Sequence, residues 1–334
     1  MRGAQYIAAP LIDGVFGTWP VNIGIVAGRK RKKMTITTEQ IKEANILYHD
    51  AAASEYDAKW GIDFGVLGKG QVLGKVEKAL GKNPGPFARG LEIGSGTGYF
   101  SLNMMLTGVL DSVVCTDISP GMLQTLSESA DLLGVGDRVE TLCTEAEAMP
   151  LEDESFDLIF GHAVVHHLPD LAASFAEFYR LLKPGGMLMF CGEPSYRGDR
   201  LARFPKQAAS IMSPLWRRAL RVRPAEYHHE HDEGHAMEPF VDVHAFVPSD
   251  LADCAREADL ENVRVIGEEL TANWFGWANR TLEASGRQED IPNLWRQYAY
   301  HGYLNLQKLD RKLLEGRLPA SIFYNLILAA RKPA

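Results

Sequence analysis

Three glycines in five positions, Gly94, Gly96 and Gly98, follow the apolar run that begins at Leu91 in LEIGSGTGYF (91–100). Glycines at that density strip side chains from a turn, so the main chain can bend sharply and approach a ligand with its N–H groups. Asp117 ends a second apolar run, VVCTDIS, 19 residues beyond Gly98. A carboxylate there can accept both hydroxyls of a ribose, which points to adenosine without saying which adenosine-bearing molecule. Its other reading is a cap on the helix that starts at Ser119. His162, His166 and His167 lie just past a fourth apolar run, where neutral imidazole suits proton removal from an acceptor. A second group, HHEHDEGH (228–235), has residue types that suit zinc. Its spacing matches no metal motif, so no metal is assigned; a base or substrate-orienting role and a plain polar loop are its other readings.

Apolar runs alternating with amphipathic stretches must position these groups, the signature of strands covered by helices on both faces of a parallel sheet. Strands are predicted at 88–94, 111–118, 138–144, 156–161 and 186–193, with helices at roughly 71–81, 97–107, 119–133 and 170–183. LLKPGG (181–186) closes the last helix, because Pro184 cannot continue it and the glycines allow a tight turn. Pro248 and Ser249 are read as capping a further helix that leads to another strand within 247–270, and SIFYNLILAARKP (321–333) supplies a final apolar run. The glycine loop then joins the first strand to the first sheet helix, where open α/β sheets gather their ligands.

Composition narrows the partners. The 334 residues carry a formal charge of −8, and the pI is near 5.7, which argues against nucleic acid, since polyanion binding rests on clustered Lys and Arg. Cys115, Cys143, Cys191 and Cys254 form no CxxC pair, which predicts a reduced cytoplasmic protein. No run of ~18 apolar residues predicts stable membrane insertion, and no feature sets an oligomeric state. Residues 1–33, ending in GRKRKK, are read as a flexible leader, with Met34 as an alternative start.

A dinucleotide fingerprint would place its third glycine at position 99, where this chain has Tyr99. The chain reads GxGxG with Glu92 two residues before it, and in this it resembles the class I S-adenosylmethionine-dependent methyltransferases. CTEAEAMPLEDESFDLIFGHAVVHHLPD (143–170) and RLLKPGGMLMF (180–190) are similar to the ubiquinone and menaquinone biosynthesis type within that group. The resemblance spans about residues 70–193. It implies an α/β fold: a doubly wound, seven-stranded, mostly parallel sheet (the Rossmann-like methyltransferase fold) with the last strand antiparallel between the fifth and sixth. S-adenosylmethionine is the implied cofactor. The resemblance assigns Glu92 to its methionine end, the turn Gly94, Ser95, Gly96 and Gly98 to its flank, and Glu145, with the Ala146 backbone, to the adenine. Asp117, Ile118 and Gly161 complete the cofactor set.

On this reading the core covers 71–193, 247–270 and 319–334. Lid helices are expected in 34–70, with insertions at 194–246 and 271–318 covering the carboxyl-end face as an α-helical lid. Trp274, Phe275, Trp277, Trp295 and Tyr298, with Tyr48, Tyr56 and Trp60, suit an apolar or aromatic acceptor, or else pack the cap onto the sheet. There is no Asn-Pro-Pro-Tyr type tetrad after the fourth strand, which reads GHAV (161–164), and no cysteine is placed for ring methylation. A small-molecule or lipid-like acceptor follows, with oxygen preferred over carbon or nitrogen because of His162, His166 and His167. A non-catalytic S-adenosylmethionine binder and a nicotinamide oxidoreductase are the rival classes.

Overall fold

The computed structural model describes residues 39, 42, 45, 46, 62–225 and 244–334. The leader 1–33, the His-rich stretch 228–235 and the aromatics Tyr48, Tyr56 and Trp60 lie outside the described residues.

Seven strands form one sheet: β1 (Phe87–Ile93), β2 (Leu110–Asp117), β3 (Val139–Cys143), β4 (Phe156–His162), β5 (Leu182–Pro194), β6 (Glu261–Glu268) and β7 (Asn325–Arg331). Their order is 3-2-1-4-5-7-6, and β7 runs antiparallel to both β5 and β6, as expected from the resemblance. Parallel strands buried on both faces need apolar residues on both sides. Leu91, Ile93, Ile159 and Leu188 accordingly face one core cluster, and Val113, Cys115, Leu158 and Met189 the other.

The helices are α1 (Val66–Leu80), α2 (Tyr99–Leu106), α3 (Pro120–Leu132), α4 (Leu171–Leu181), α5 (Tyr196–Leu220), α6 (Pro248–Glu257), α7 (Thr271–Ala284) and α8 (Asn293–Leu313). Caps fix several starts. The Ser119 hydroxyl accepts from Met122 N, Asp170 from Ala173 N and Ser195 from Gly198 N.

Three boundaries differ from the sequence reading. Helix α1 starts five residues early, because Asp63 accepts hydrogen bonds from Gly65 N and Gly68 N and so organises a glycine-rich stretch that has little helix propensity. Gly68 is required there, since a Cβ would lie 1.7 Å from the Asp63 carbonyl oxygen. Helix α6 has Val247 as its N-cap, with no side-chain cap bond; Pro248 supplies the fixed φ of a first turn, and the Ser249 hydroxyl bonds Asp250 instead. In β5, the pairing with β4 skips from Leu182 to Met187, so KPGG is an excursion of the strand, with Gly185 at φ +76°.

Helix α5 leaves from the carboxyl end of β5, and α7 from that of β6. The two pack together, and α8 packs on α7. Ser195 anchors the start of this group. Its hydroxyl bonds the Phe323 carbonyl, and a Cβ at Gly198 would sit 1.9 Å from that same oxygen.

Candidate active site

The glycine loop is stitched to β2. Ser95 N donates to Thr116 O at 2.9 Å, and Gly98 N to Ser95 O at 2.9 Å. Asp117 crosses the seam, with Oδ2 accepting from Gly96 N and Oδ1 from Ser119 N, each at 2.9 Å. These two bonds hold the carboxylate in place across the turn. The bond from Ser119 N matches the capping reading of Asp117, and the bond from Gly96 N ties the same carboxylate to the glycine loop.

The three glycines share positive φ (+60°, +51° and +88°) but do different things. A Cβ at Gly94 would lie 2.3 Å from Val164 Cγ2, and one at Gly98 would meet Leu126 and Leu102 at 2.8 and 2.9 Å. Those two are bare so that neighbouring elements can close on the loop. At Gly96 nothing stands within 4 Å of the Cβ position. Beside it the Ser95 hydroxyl is buried, with no hydrogen-bond partner among the described residues, an unmet group of the kind that a ligand satisfies. Gly161 is another packing glycine, since its Cβ would lie 2.8 Å from Ile93 O.

Beneath the loop, Glu92 is 1% exposed. Ser101 hydrogen-bonds it through hydroxyl and backbone, and the Cys115 thiol lies 3.9 Å away. Burial dominates these contacts and pushes its pKa up to about 8. At the far side of the loop, Ile118 is half-buried and its carbonyl accepts from the Cys143 thiol, while Ala146 packs into the core. Glu145 points outward and meets Lys42 Nζ at 2.5 Å, with Glu147 at 3.6 Å from the same amine. Partial burial alone would lower the Lys42 pKa, but the two carboxylates outweigh it and raise it.

The loop after β4 brings the histidines together and sorts them. His162 stacks on Phe100, with ring centroids 5.4 Å apart, and takes Tyr99 edge-on. Gly192 makes room for it, since a Cβ there would stand 3.0 Å from Nε2. Burial, followed by the nearby Lys75 cation, lowers its pKa to about 4. His162 is therefore a neutral imidazole and a weak base at neutral pH. Ala163 follows at φ +54°, a strained value for a residue with a Cβ, and its N–H bonds Cys191 O at 2.7 Å.

That bend lays the turn Val165–His167 over Glu193, the carboxylate at the end of β5. Glu193 is fully buried. Its Oε1 accepts from Val164 N and Val165 N at 3.0 Å, and Oε2 accepts from His166 N at 3.1 Å and lies 2.8 Å from His166 Nδ1. Burial would raise its pKa; the bonds from His166 and the two valine amides more than offset this and lower it. An ionised carboxylate only accepts, so Nδ1 carries a proton, and the tautomer this fixes for the neutral ring has its lone pair on Nε2. The His167 ring stands 3.9 Å from that of His166, and the His166 carbonyl accepts from His244 N.

The sequence reading did not single out Glu193. Its signal was a lone carboxylate closing the apolar strand GMLMFCGE. Nor did it find the ionic cluster at the end of β6, where Lys75 meets Glu268 at 2.6 Å and Lys78 bridges Glu268 and Glu315 at 3.1 and 2.8 Å. Burial would raise the Glu268 pKa, but the two lysines bring it down to about 2. From α8, Tyr303 and Gln307 donate to Glu269 at 2.6 and 2.8 Å, so the cluster ties α1, β6 and α8 into one wall.

The cap aromatics mostly pack helix to helix. Trp295 meets Trp216 and Tyr298, and Phe275 meets Tyr298. Trp277 differs: it covers Tyr324 before β7 and carries Lys206 over its ring at 3.7 Å. Among the described residues no cluster of three or more His, Cys, Asp or Glu side chains is placed to hold a metal ion.

Residues 91–190 match the family described as Methyltransferase domain. Malonyl-[acyl-carrier protein] O-methyltransferases of Gallionella capsiferriformans and Methylococcus capsulatus are 37% and 33% identical, over 31% and 44% of this chain. Those matches span 37% and 56% of the relatives' own length. Demethylmenaquinone methyltransferase of Roseiflexus castenholzii is 30% identical over 219 residues, 64% of this chain and 85% of that protein. Among solved structures, Haemonchus contortus phosphoethanolamine N-methyltransferase 2, in complex with phosphomonomethylethanolamine and S-adenosylhomocysteine, superposes with a TM-score of 0.55 at 19% identity. That match covers 90% of this chain and 61% of that one. The [4+2]-cyclase SpnF gives 0.53 at 17%, covering 88% and 97%. At these identities the structures show a shared fold, and a fold does not fix the chemistry it hosts.

Proposed function

Because the chain belongs to the class I S-adenosylmethionine-dependent methyltransferases, we propose that it methylates the hydroxyl oxygen of a small-molecule or lipid-like acceptor, with His166 as the proton acceptor. The bound cofactor supplies an electrophilic methyl group on a sulfonium. The loop fits it, with an unmet buried hydroxyl at Ser95, open space at Gly96, and the Asp117 carboxylate held across the turn. Glu92 lies below for the methionine end, and Glu145 with Ala146 beyond Asp117 for the adenine.

The observation that carries the acceptor reading is the Glu193–His166 pair. A displacement at carbon needs its nucleophile positioned and shielded from water, and a weakly acidic hydroxyl also needs its proton removed. Glu193 holds the ring by Nδ1 and so sets the tautomer whose basic lone pair is on Nε2, while neighbouring His162 stays neutral and suits orienting the acceptor. Carbon methylation is the second reading, favoured by a relative named for a quinone acceptor. Deprotonating a ring hydroxyl would activate the adjacent carbon, and the same imidazole would serve. The test is incubation of the protein and host extract with methyl-labelled S-adenosylmethionine, followed by mass spectrometry of polar and lipid fractions. A labelled O-methyl product supports the reading; label only on carbon or nitrogen overturns it.

Two substitutions test the cofactor site. Asp117→Ala is expected to weaken S-adenosylhomocysteine binding by about 1.5–3 kcal/mol, the worth of a hydrogen bond to a charged group. Unchanged affinity by calorimetry would remove Asp117 from the site. Gly96→Val puts a branched side chain into the open volume and is expected to abolish the thermal shift given by S-adenosylhomocysteine. Gly98→Val, which drives a side chain into Leu102 and Leu126, should instead prevent stable folding. A folded Gly96→Val protein that binds normally would contradict the assignment.

A further inference from the structure

Helix α5 is apolar on two opposite faces. Ala202, Ala209, Ser213 and Trp216 turn inward, and the inward side packs on α7. On the other side Phe204, Ile211, Met212 and Leu215, spaced to fall on one stripe, are 70%, 79%, 51% and 60% exposed. Single exposed apolar residues are ordinary; an aligned stripe of four large ones marks a surface that something covers.

The charge pattern identifies the occupant. The helix carries six basic side chains and one acidic one, Asp199, in a chain whose formal net charge is −8. Lys206 and Arg217 turn inward, onto Trp277 and Ser285. Arg200 and Arg203 lie exposed before the stripe, and Arg218 and Arg221 exposed after it. Apolar side chains in the middle with guanidinium groups at both ends match a layer of acyl chains beneath anionic headgroups. The acidic remainder of the molecule would orient the approach by being repelled from that surface. No helix of the described residues is long and apolar enough to cross a membrane.

We propose that the outward face of α5 seats this protein on an anionic lipid surface as a peripheral contact. The helix is capped by Ser195, two residues beyond Glu193, so a protein docked this way holds the acceptor site close to the bilayer. The inference deepens the lipid-like acceptor reading and rests on it only for its purpose, since lipid binding is measured without turnover.

The test is co-sedimentation of the full chain with phosphatidylcholine vesicles, with and without phosphatidylglycerol, at low and high salt. Binding is expected only with the anionic lipid, weakening as salt rises. Ile211→Ser/Leu215→Ser and, separately, Arg200→Glu/Arg218→Glu should each reduce it by roughly tenfold or more. The melting temperature and S-adenosylhomocysteine affinity should stay unchanged in both. No binding to anionic vesicles overturns the proposal. So does binding that survives both variants, which would assign the contact to the basic GRKRKK run, and so does a dimer, seen by light scattering, that Ile211→Ser/Leu215→Ser dissociates.

Discussion

His166→Ala is expected to lower kcat on a hydroxyl acceptor by about 10²–10⁴-fold, the usual contribution of a positioned general base. S-adenosylhomocysteine affinity should stay within a factor of about two to three, because His166 lies across the β4–β5 end of the sheet from Ser95, Gly96 and Asp117. Glu193 acts through His166: it fixes the ring and stabilises the imidazolium that forms on proton transfer. Glu193→Gln should therefore lower kcat by about 10–10²-fold with little change in KM. The double variant should be no slower than His166→Ala alone, since residues acting as a unit are not additive. A loss in His166→Ala matched by a loss of melting temperature would mean that the pair only holds the loop. Equal turnover of variant and wild type would remove the base from the mechanism and leave positioning alone. His162→Asn is the internal control. Its pKa of about 4 makes it a poor base, so its loss should appear mainly in KM.

What the sequence made legible was whatever is written locally. Strands buried on both faces have to be continuous apolar runs, so β1, β2, β4 and β5 are visible as text, while the edge strand β3, with no fully buried residue, shows only as a short β-branched run. The GxGxG spacing located the turn after β1, and the carboxylate that ends β2 is legible for the same local reason. What each glycine is for was not legible, since it depends on side chains supplied from elsewhere, Val164 for Gly94 and Leu126 for Gly98. The start of α1 was hidden because Asp63, a residue outside the periodic pattern, organises it. Glu193 meets its histidine 27 residues away in sequence, and Lys75 meets Glu268 across 193. Such pairs come from strand order and cap docking, which no local window contains. Nothing in FGHAVVHHL says which of the three histidines is placed to act as a base. Burial against Phe100 and a bond to Glu193 are what separate His162 from His166.

The stability of the ligand-free protein should fall as pH rises from about 5 to 8, by about 1.4 kcal/mol per unit on account of Glu92 alone. In the unfolded chain this carboxyl ionises near its ordinary value of ~4.3; in the fold, burial holds it protonated up to about 8. Between those values the folded state binds the extra proton, so each step up in pH favours unfolding, and above about 8 the loss is complete. Glu92→Gln keeps the shape without the titration. Its unfolding free energy relative to wild type should climb by on the order of 4 kcal/mol across that window, measured by urea denaturation at matched ionic strength. A difference that stays flat with pH would show that Glu92 is ionised in the fold. With Glu92 at the methionine end, as proposed above, the same carboxyl would link stability to cofactor, because a nearby ammonium favours its ionised form. S-adenosylhomocysteine should then raise the melting temperature more at pH 8 than at pH 6 in wild type, and equally at both in Glu92→Gln. A pH-independent shift in wild type would separate Glu92 from the ammonium and leave it as a buried acid that braces β1 against β2 through Cys115 and Ser101.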